Sequence, residues 1–418
     1  MNSKKRFGIL VGGGPAPGIN SVIEAATIQS IRCGANVIGI QDGFQWIMQG
    51  NVSNIHELTQ ESVSRLHFRG GSFLGTSRAN PTKEIQNLQT TLSSLTQLKI
   101  SALITIGGDD TAFSALKLEQ MANGRLQVVH VPKTIDNDLC LPHGMPTFGF
   151  QTARHLGVEI VKNLMIDAQT TSRWYFAVTM GRKTGHLALG IGKAAGATVT
   201  IIPEEFRNER ITLAQLSRVI EGAIIKRISQ NRRDGVAVFA EGMAELLDPE
   251  ELPHLRGIER DEHGHLRLAE LDIGKVLKDK VSDELKKHGV KVTIVTKNIG
   301  YELRCADPIP YDMEYTRDLG YCAAQFLLDG RNAAMVTIDN GRFSPMPFNN
   351  ILDPETGRTK VRMVDVNAEY YKIARAYMAR LSEEDLENHH LLQQYADILH
   401  ISLEDFKLKY SSSKHAAS

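Results

Sequence analysis

Two short β-branched runs, each ending in a loop of glycine and aspartate, constrain this chain most: Leu103-Ile104-Thr105-Ile106 enters Gly107-Gly108-Asp109-Asp110, and a second run ends in Lys133-Thr134-Ile135-Asp136-Asn137-Asp138. Runs this short and this apolar read as strands buried on both faces, the kind found in parallel sheets covered by helices. The pattern starts early. Phe7-Gly8-Ile9-Leu10-Val11 passes through a glycine-rich turn, 12–18, into a helix over 20–33 closed by Gly34, and 36–40 returns as a strand. Further strands are expected to end at Ile106, Val131, Val178, Ile202, Ala240 and Val295, with helices over 148–167, 183–195, 213–230 and 268–288. Thr212 and Gln215 have the spacing of a capping box at the start of one of these helices. The fold class is α/β, with two doubly wound, Rossmann-like parallel-sheet domains.

At 418 residues the chain is too long for one ordinary core. The boundary is expected near 145, at Pro142-His143-Gly144-Met145-Pro146. This gives a first domain of 1–145 rejoined by roughly 300–335, a second of 146–300, and a helical C-terminal extension over 350–418, with helices in 367–378 and 382–395. Lys+Arg and Asp+Glu both number 48, so no global field recruits nucleic acid or an anionic membrane, and any anion site must be local. No apolar stretch approaches the roughly 18 residues of a membrane span, and 7–11 is too short for a signal peptide, so a cytoplasmic location is expected. Cys33, Cys140, Cys305 and Cys322 have no metal or disulfide spacing and read as buried, reduced thiols.

Ligands of open parallel sheets bind where strands end, because backbone amides and helix N-termini point there. Gly12-Gly13-Gly14-Pro15-Ala16-Pro17-Gly18 can cradle an anion, though alone it is weak evidence, since a tight turn with no ligand also uses such glycines. It is no dinucleotide fingerprint, since Pro17 takes the place of the third glycine, and it lacks the Gly-Lys-Ser/Thr ending of a Walker loop. Gly70-Gly71-Ser72-Phe73-Leu74-Gly75-Thr76-Ser77-Arg78 is a second glycine-rich loop, ending in a guanidinium suited to phosphate or serving as a surface turn. Asp109 and Asp110 put two like charges at the head of a helix, a costly arrangement unless a hard cation or amides compensate. His263-Gly264-His265 and His389-His390 lack cysteine partners and read as solvated rather than metal-binding.

Over most of its length the chain resembles the phosphofructokinase family. The resemblance lies in Gly13-Gly14 through Asn20, Arg69 through Arg78, Gly107 through Thr111, Pro132 through Asp138, Met180-Gly181-Arg182, Ala240-Glu241-Gly242 and Tyr301 through Arg304, in the family's order and at similar spacing. Gly-Gly-Asp-Asp and Pro-Lys-Thr-Ile-Asp-Asn-Asp resemble its pyrophosphate-dependent branch, because ATP-dependent members usually carry glycine at the places of Asp110 and Lys133. The resemblance implies the phosphofructokinase fold and reversible transfer of a phosphoryl group from pyrophosphate to the C1 hydroxyl of fructose 6-phosphate. The products would be fructose 1,6-bisphosphate and phosphate, in glycolysis or gluconeogenesis.

It also implies residue roles. Asp136 is the general base, Asp109 binds Mg²⁺, and Gly13 by its amide and Lys133 by its ammonium stabilise the moving phosphoryl group, with Arg78 on the donor. Thr134, Ile135, Met180, Gly181, Arg182, Glu241, Tyr301 and Arg304 hold the sugar phosphate, joined by Arg173 from a neighbouring subunit of a homodimer or homotetramer. Asp110 is expected to exclude nucleotides, since two unit charges at about 4 Å repel by roughly 4 kcal/mol at an effective dielectric of about 20. The alternatives are an ATP-dependent phosphofructokinase that tolerates Asp110, a catalytically silent regulatory subunit of the same fold, and a nicotinamide oxidoreductase resting on the glycine loop and Asp42.

Overall fold

Strand and helix alternate through the computed structural model, which describes residues 5–206, 209–248, 251, 272–355, 357 and 359–411. In chain order come β1 (Arg6–Val11), α1 (Ile19–Arg32), β2 (Asn36–Ile40), β3 (Ile55–Leu58), α2 (Ile85–Gln97), β4 (Ala102–Gly107), α3 (Asp109–Ala122), β5 (Gln127–Thr134) and β6 (Phe148–Gly149). Next are α4 (Phe150–Thr171), β7 (Trp174–Thr179), α5 (His186–Ala195), β8 (Val199–Ile201), α6 (Leu213–Ser229), β9 (Gly235–Ala240), α7 (Met243–Leu246), α8 (Ile273–Lys287) and β10 (Ile294–Ile299). The chain closes with α9 (Tyr301–Arg304), α10 (Pro310–Leu328), β11 (Ala334–Met335), β12 (Ile338–Asp339), β13 (Arg342–Phe343), β14 (Met346–Pro347), α11 (Glu369–Ala376), α12 (Glu383–Glu387), α13 (His389–Leu399) and α14 (Leu403–Ser411).

The chain divides into two compact units, residues up to 153 with 301–362, and 154–300 with 363 onward, leaving aside the undescribed stretch around 261–265. The division falls inside α4 rather than at the Pro142 to Pro146 punctuation, and the segment after 350 is shared out between the units instead of standing apart.

The first unit is built on a sheet of order β14-β11-β5-β4-β1-β2-β3, with β6 beside β5. Its centre is parallel, and its two edge strands, β3 and β14, run antiparallel. Period-two alternation sends Phe7, Ile9 and Val11 of β1 to one face, with Val22, Ile23, Leu319 and Ala323 of α1 and α10, and Leu10 to the other, with Leu88, Ala112 and Leu116 of α2 and α3. β1, β4 and β5 are neighbours, so their C-terminal ends lie side by side.

The second unit has a fully parallel sheet of order β10-β7-β9-β8. Its C-terminal helices are tied on by buried charges: Arg380 Nη1 meets Glu205 Oε2 at 2.5 Å with both side chains almost wholly buried, and Lys226 meets Asp385 at 2.5 Å. Losing one partner of a buried pair of this kind costs about 3–5 kcal/mol.

The expected strands and helices are present with shifted ends. β10 runs to Ile299 rather than to Val295, because on this edge strand Lys297 and Asn298 are both exposed and their polarity hides the strand. The helix expected over 382–395 is two, since the Asn388 side chain accepts from the His390 and Leu391 amides and starts α13. The Thr212–Gln215 capping box is formed. α2, α10 and the edge strand β3 were not foreseen from the sequence; Pro310 at the start of α10 is the signal that was available. All four cysteines are free as expected, but Cys33, Cys140 and Cys305 are exposed rather than buried, because each lies at a helix end or in a loop. No helix among the described residues is long and apolar enough to cross a membrane.

Candidate active site

In the first unit, three loops leave the adjacent ends of β1, β4 and β5, and they are bound to one another through backbone. Gly12 N–H donates to the Ile106 carbonyl at 2.8 Å, and Gly12 also forms a bridge with Ser77, which brings Arg78 to the same edge. The Lys133 ammonium donates to the Gly14 carbonyl, and Thr76 Oγ1 donates to the Gly13 carbonyl at 2.5 Å. A Cβ built on Gly13 lies 3.4 Å from Lys133 Nζ, and one built on Gly14 lies 3.0 Å from Arg304 Nη1. The glycine turn is thus flanked by two cations. Arg304 in turn lies over the ring of Tyr301, which is 64% exposed, at 5.4 Å from its centroid.

One expectation is corrected here. The Gly13 N–H, expected to face the moving phosphoryl group, instead donates to the Ser77 carbonyl at 2.8 Å, because the second glycine loop pairs alongside the first. What Gly13 offers is room beside Lys133 and a positive φ of 80°.

Asp109 and Asp110 occupy the first turn of α3 and are half-buried, where the helix dipole favours negative charge. The close packing behind them is set by Thr111: a Cβ on Gly107 would lie 2.3 Å from its Cβ, and one on Gly12 would lie 2.4 Å from its Oγ1. Beneath this loop sits His130, a residue the sequence reading passed over. Nε2–H donates to the Gly107 carbonyl at 3.0 Å, and Nδ1 accepts from Thr105 Oγ1 at 2.8 Å, the tautomer these partners require. Burial lowers its pKa to about 3, with the nearby Lys133 charge adding to the effect against the raising hydrogen bond to Gly107.

Lys133, near the end of β5, is 3% exposed, and Asp136, in the loop after it, 6%. The Asp136 N–H donates to Thr134 Oγ1 at 3.0 Å, and Ile135 is buried. Asn20 ties the second glycine loop down, taking the Phe73 amide at 2.7 Å and donating to the Arg69 carbonyl at 3.1 Å. Gly70 N–H donates to Asp307 at 2.8 Å. Asp42 is part of the scaffold, since its carboxylate accepts from Trp46 Nε1 at 2.9 Å and its carbonyl from Ser77 Oγ at 2.6 Å. The oxidoreductase reading loses its ribose partner.

In the second unit, the turn after β7 carries Met180, Gly181 and Arg182. Glu241, 7% exposed at the end of β9, accepts from the Gly181 and Arg182 amides at 3.2 and 2.9 Å. Arg182 is held at a φ of 49°. A second carboxylate, Glu204, accepts from Gly185 N at 2.9 Å and from Val364 N at 3.0 Å, and burial pushes its pKa up. No local pattern in the chain points to it. Arg173 precedes β7, with Nε 3.9 Å from Asp167, so the length of the strand, on the order of 20 Å, separates it from Met180.

Among the described residues no group of three or more His, Cys, Asp or Glu side chains could hold a metal ion by itself. The carboxylates heading α3 fit a hard cation that draws its other ligands from phosphate oxygens and water, the usual manner of Mg²⁺. His389 and His390 are exposed on α13; His263 and His265 lie outside the described residues.

The model of the Phosphofructokinase family matches residues 6–327. A pyrophosphate–fructose 6-phosphate 1-phosphotransferase of Thermotoga maritima is 53% identical over 411 residues, covering 97% of this chain and 98% of its own. One of Naegleria fowleri is 48% identical over 409 residues, covering 96% and 94%. A crystal structure of a pyrophosphate-dependent phosphofructokinase from Nitrosospira multiformis superposes with a TM-score of 0.68 at 17% identity, covering 90% of this chain and 91% of that one, a likeness of fold.

Proposed function

The chain belongs to the phosphofructokinase family, and from that premise we propose that it transfers a phosphoryl group from pyrophosphate to fructose 6-phosphate, giving fructose 1,6-bisphosphate and phosphate. The single structural observation that carries the reading is the glycine turn flanked by Lys133 and Arg304 beside the carboxylates of α3. Phosphoryl transfer needs positioned charge more than covalent chemistry, and this arrangement offers it.

Asp136 takes the proton of the C1 hydroxyl as that oxygen attacks the terminal phosphorus of pyrophosphate, and the bond to the bridging oxygen breaks to release phosphate. Lys133 offsets charge on the transferring group, with Arg78 on the donor and Gly13 leaving space between. Asp109 would hold Mg²⁺, which would neutralise donor oxygens. Thr134, Ile135, Met180, Gly181, Arg182, Glu241, Tyr301 and Arg304 are the residues assigned to the sugar phosphate.

Arg173 serves a neighbouring subunit; its position at the far end of β7 from Met180 supports that role, and with it a homodimer or homotetramer. The reading includes a cytoplasmic location, where glycolytic substrates are found.

Asp110 sets the donor. A nucleotide's α-phosphate beside its carboxylate meets the repulsion of roughly 4 kcal/mol given above, about a thousandfold, which pyrophosphate avoids by ending sooner. The test is phosphoryl transfer to fructose 6-phosphate with pyrophosphate and ATP compared at equal Mg²⁺, the product identified directly. Efficient turnover with ATP would overturn the donor assignment, and no transfer from either donor would leave the regulatory-subunit reading.

A further inference from the structure

The segment that follows β14 lies beyond the residues the family model matches, yet it touches both loops that carry the proposed chemistry. Leu352 and Thr359 bridge across it, and Thr359 Oγ1 donates to the Asp109 carbonyl at 3.3 Å. Val361 bridges to Leu139, and the Arg362 amide donates to the Asp138 carbonyl at 2.7 Å.

The Arg362 side chain then closes on the residue after the base. Its Nε and Nη2 donate to the Asn137 carbonyl at 3.1 and 3.0 Å, Nη2 also donates to Asn137 Oδ1, and Nη1 donates to the Met145 carbonyl at 2.8 Å. Asn137 is in the left-handed region, at a φ of 58°, and its Oδ1 also accepts the Thr147 amide at 3.0 Å. Asparagine enters that conformation more readily than most residues, and here the Arg362 and Thr147 hydrogen bonds to its carbonyl and Oδ1 select it. The residue before it is Asp136, whose carboxylate direction depends on the same turn. A planar guanidinium can meet these separate acceptors at once, and a lysine ammonium at the same place cannot.

We propose that Arg362 is a positioning residue for the reaction: it holds the Asn137 turn in its left-handed form and so aims the Asp136 carboxylate at the acceptor hydroxyl. The proposal rests on the reading of Asp136 as the base. It makes a residue outside the family-matched region part of the catalytic apparatus, acting through its neighbour and touching no substrate.

The test uses the full chain with Arg362→Ala and Arg362→Lys, after the wild type has been assayed with pyrophosphate and fructose 6-phosphate. Misplacing a reacting group by about 1 Å costs on the order of a hundredfold, so kcat is expected to fall about 10- to 100-fold in both variants, with each KM within about threefold of wild type. Millimolar methylguanidinium should restore about tenfold of the Arg362→Ala loss and leave wild type unchanged. Hydrogen exchange over 134–146 should quicken in both variants.

A kcat within about twofold of wild type in Arg362→Lys overturns the proposal, as does a folded Arg362→Ala whose loss methylguanidinium does not repair or whose deficit lies in KM. If Arg362→Ala does not fold, Arg362→Lys decides by the same kcat and KM criteria. An inactive wild type overturns the functional reading itself, an outcome distinct from an active enzyme indifferent to Arg362.

Discussion

In the first unit the loops after β1 and β4 are shaped by what their glycines lack, whereas in the second the turn after β7 is shaped by carboxylates placed beneath its amides. Gly12 and Gly107 leave room for Thr111, and Gly13 and Gly14 leave room for Lys133 and Arg304. Charged groups can then come close to backbone and, by extension, to a small anion. Around Met180 to Gly185 the scaffold is instead Glu241 and Glu204 accepting amide hydrogens. The difference teaches a division of construction: loops in the first unit built for close approach of charge, and a turn in the second built to hold a backbone shape.

The sharpest way to break that division is Asp136→Asn. Removing the proposed base should lower kcat by roughly a thousandfold, within the usual range of about 10²–10⁴, while the fructose 6-phosphate KM stays near wild type. A large KM change with kcat preserved would move Asp136 to the holding side.

Asp110→Gly comes next, and here the readout is donor choice. Pyrophosphate turnover should fall while the preference for pyrophosphate over ATP shrinks by up to about a thousandfold, the discrimination assigned to one carboxylate. Unchanged kinetics with both donors would show that α3 does not select the donor.

Below these lies a stability effect particular to the first unit. The folded state keeps His130 neutral, with its pKa at about 3 against an ordinary 6.5. Its contribution is complete above about pH 6.5 and is lost progressively as pH falls from there toward 3, so at pH 5 the loss is about 2 kcal/mol. Urea unfolding at pH 7 and pH 5 should therefore show a smaller pH effect in His130→Gln than in wild type. Equal pH effects would mean that the imidazole under Gly107 is not held neutral.

The smallest expected change is at the acceptor turn. Glu241→Gln keeps an oxygen for the Gly181 and Arg182 amides and should raise the fructose 6-phosphate KM only a few-fold, whereas Glu241→Ala, losing about 1.5 kcal/mol of charge-assisted hydrogen bonding, should raise it by about tenfold with kcat nearly kept. A fall in kcat exceeding the rise in KM would place this carboxylate in the chemical step and end the contrast between the units.

Much of the scaffold was legible because its signals are local. Buried β-branched runs announce β1, β4, β5, β7 and β9, Thr212 and Gln215 announce α6, and the glycine–aspartate loops mark where the strands end. Where a strand lies on an edge, as β10 does, exposed polar residues erase the pattern, and α10 carries too mixed a surface to declare itself.

By itself the sequence determined the parallel α/β plan, the strand ends that bear charge, and the candidate residues Asp109, Asp110, Lys133 and Asp136, because backbone propensity and short motifs are written in neighbouring residues. Only the tertiary structure decided that Gly13 spends its amide on Ser77, that His130 supports Gly107, that Glu204 joins Gly185 to Val364, and that Arg362 grips Asn137 from 225 positions away. Hydrogen bonds of that kind depend on which distant segments the folded core brings side by side, and no local pattern encodes the meeting.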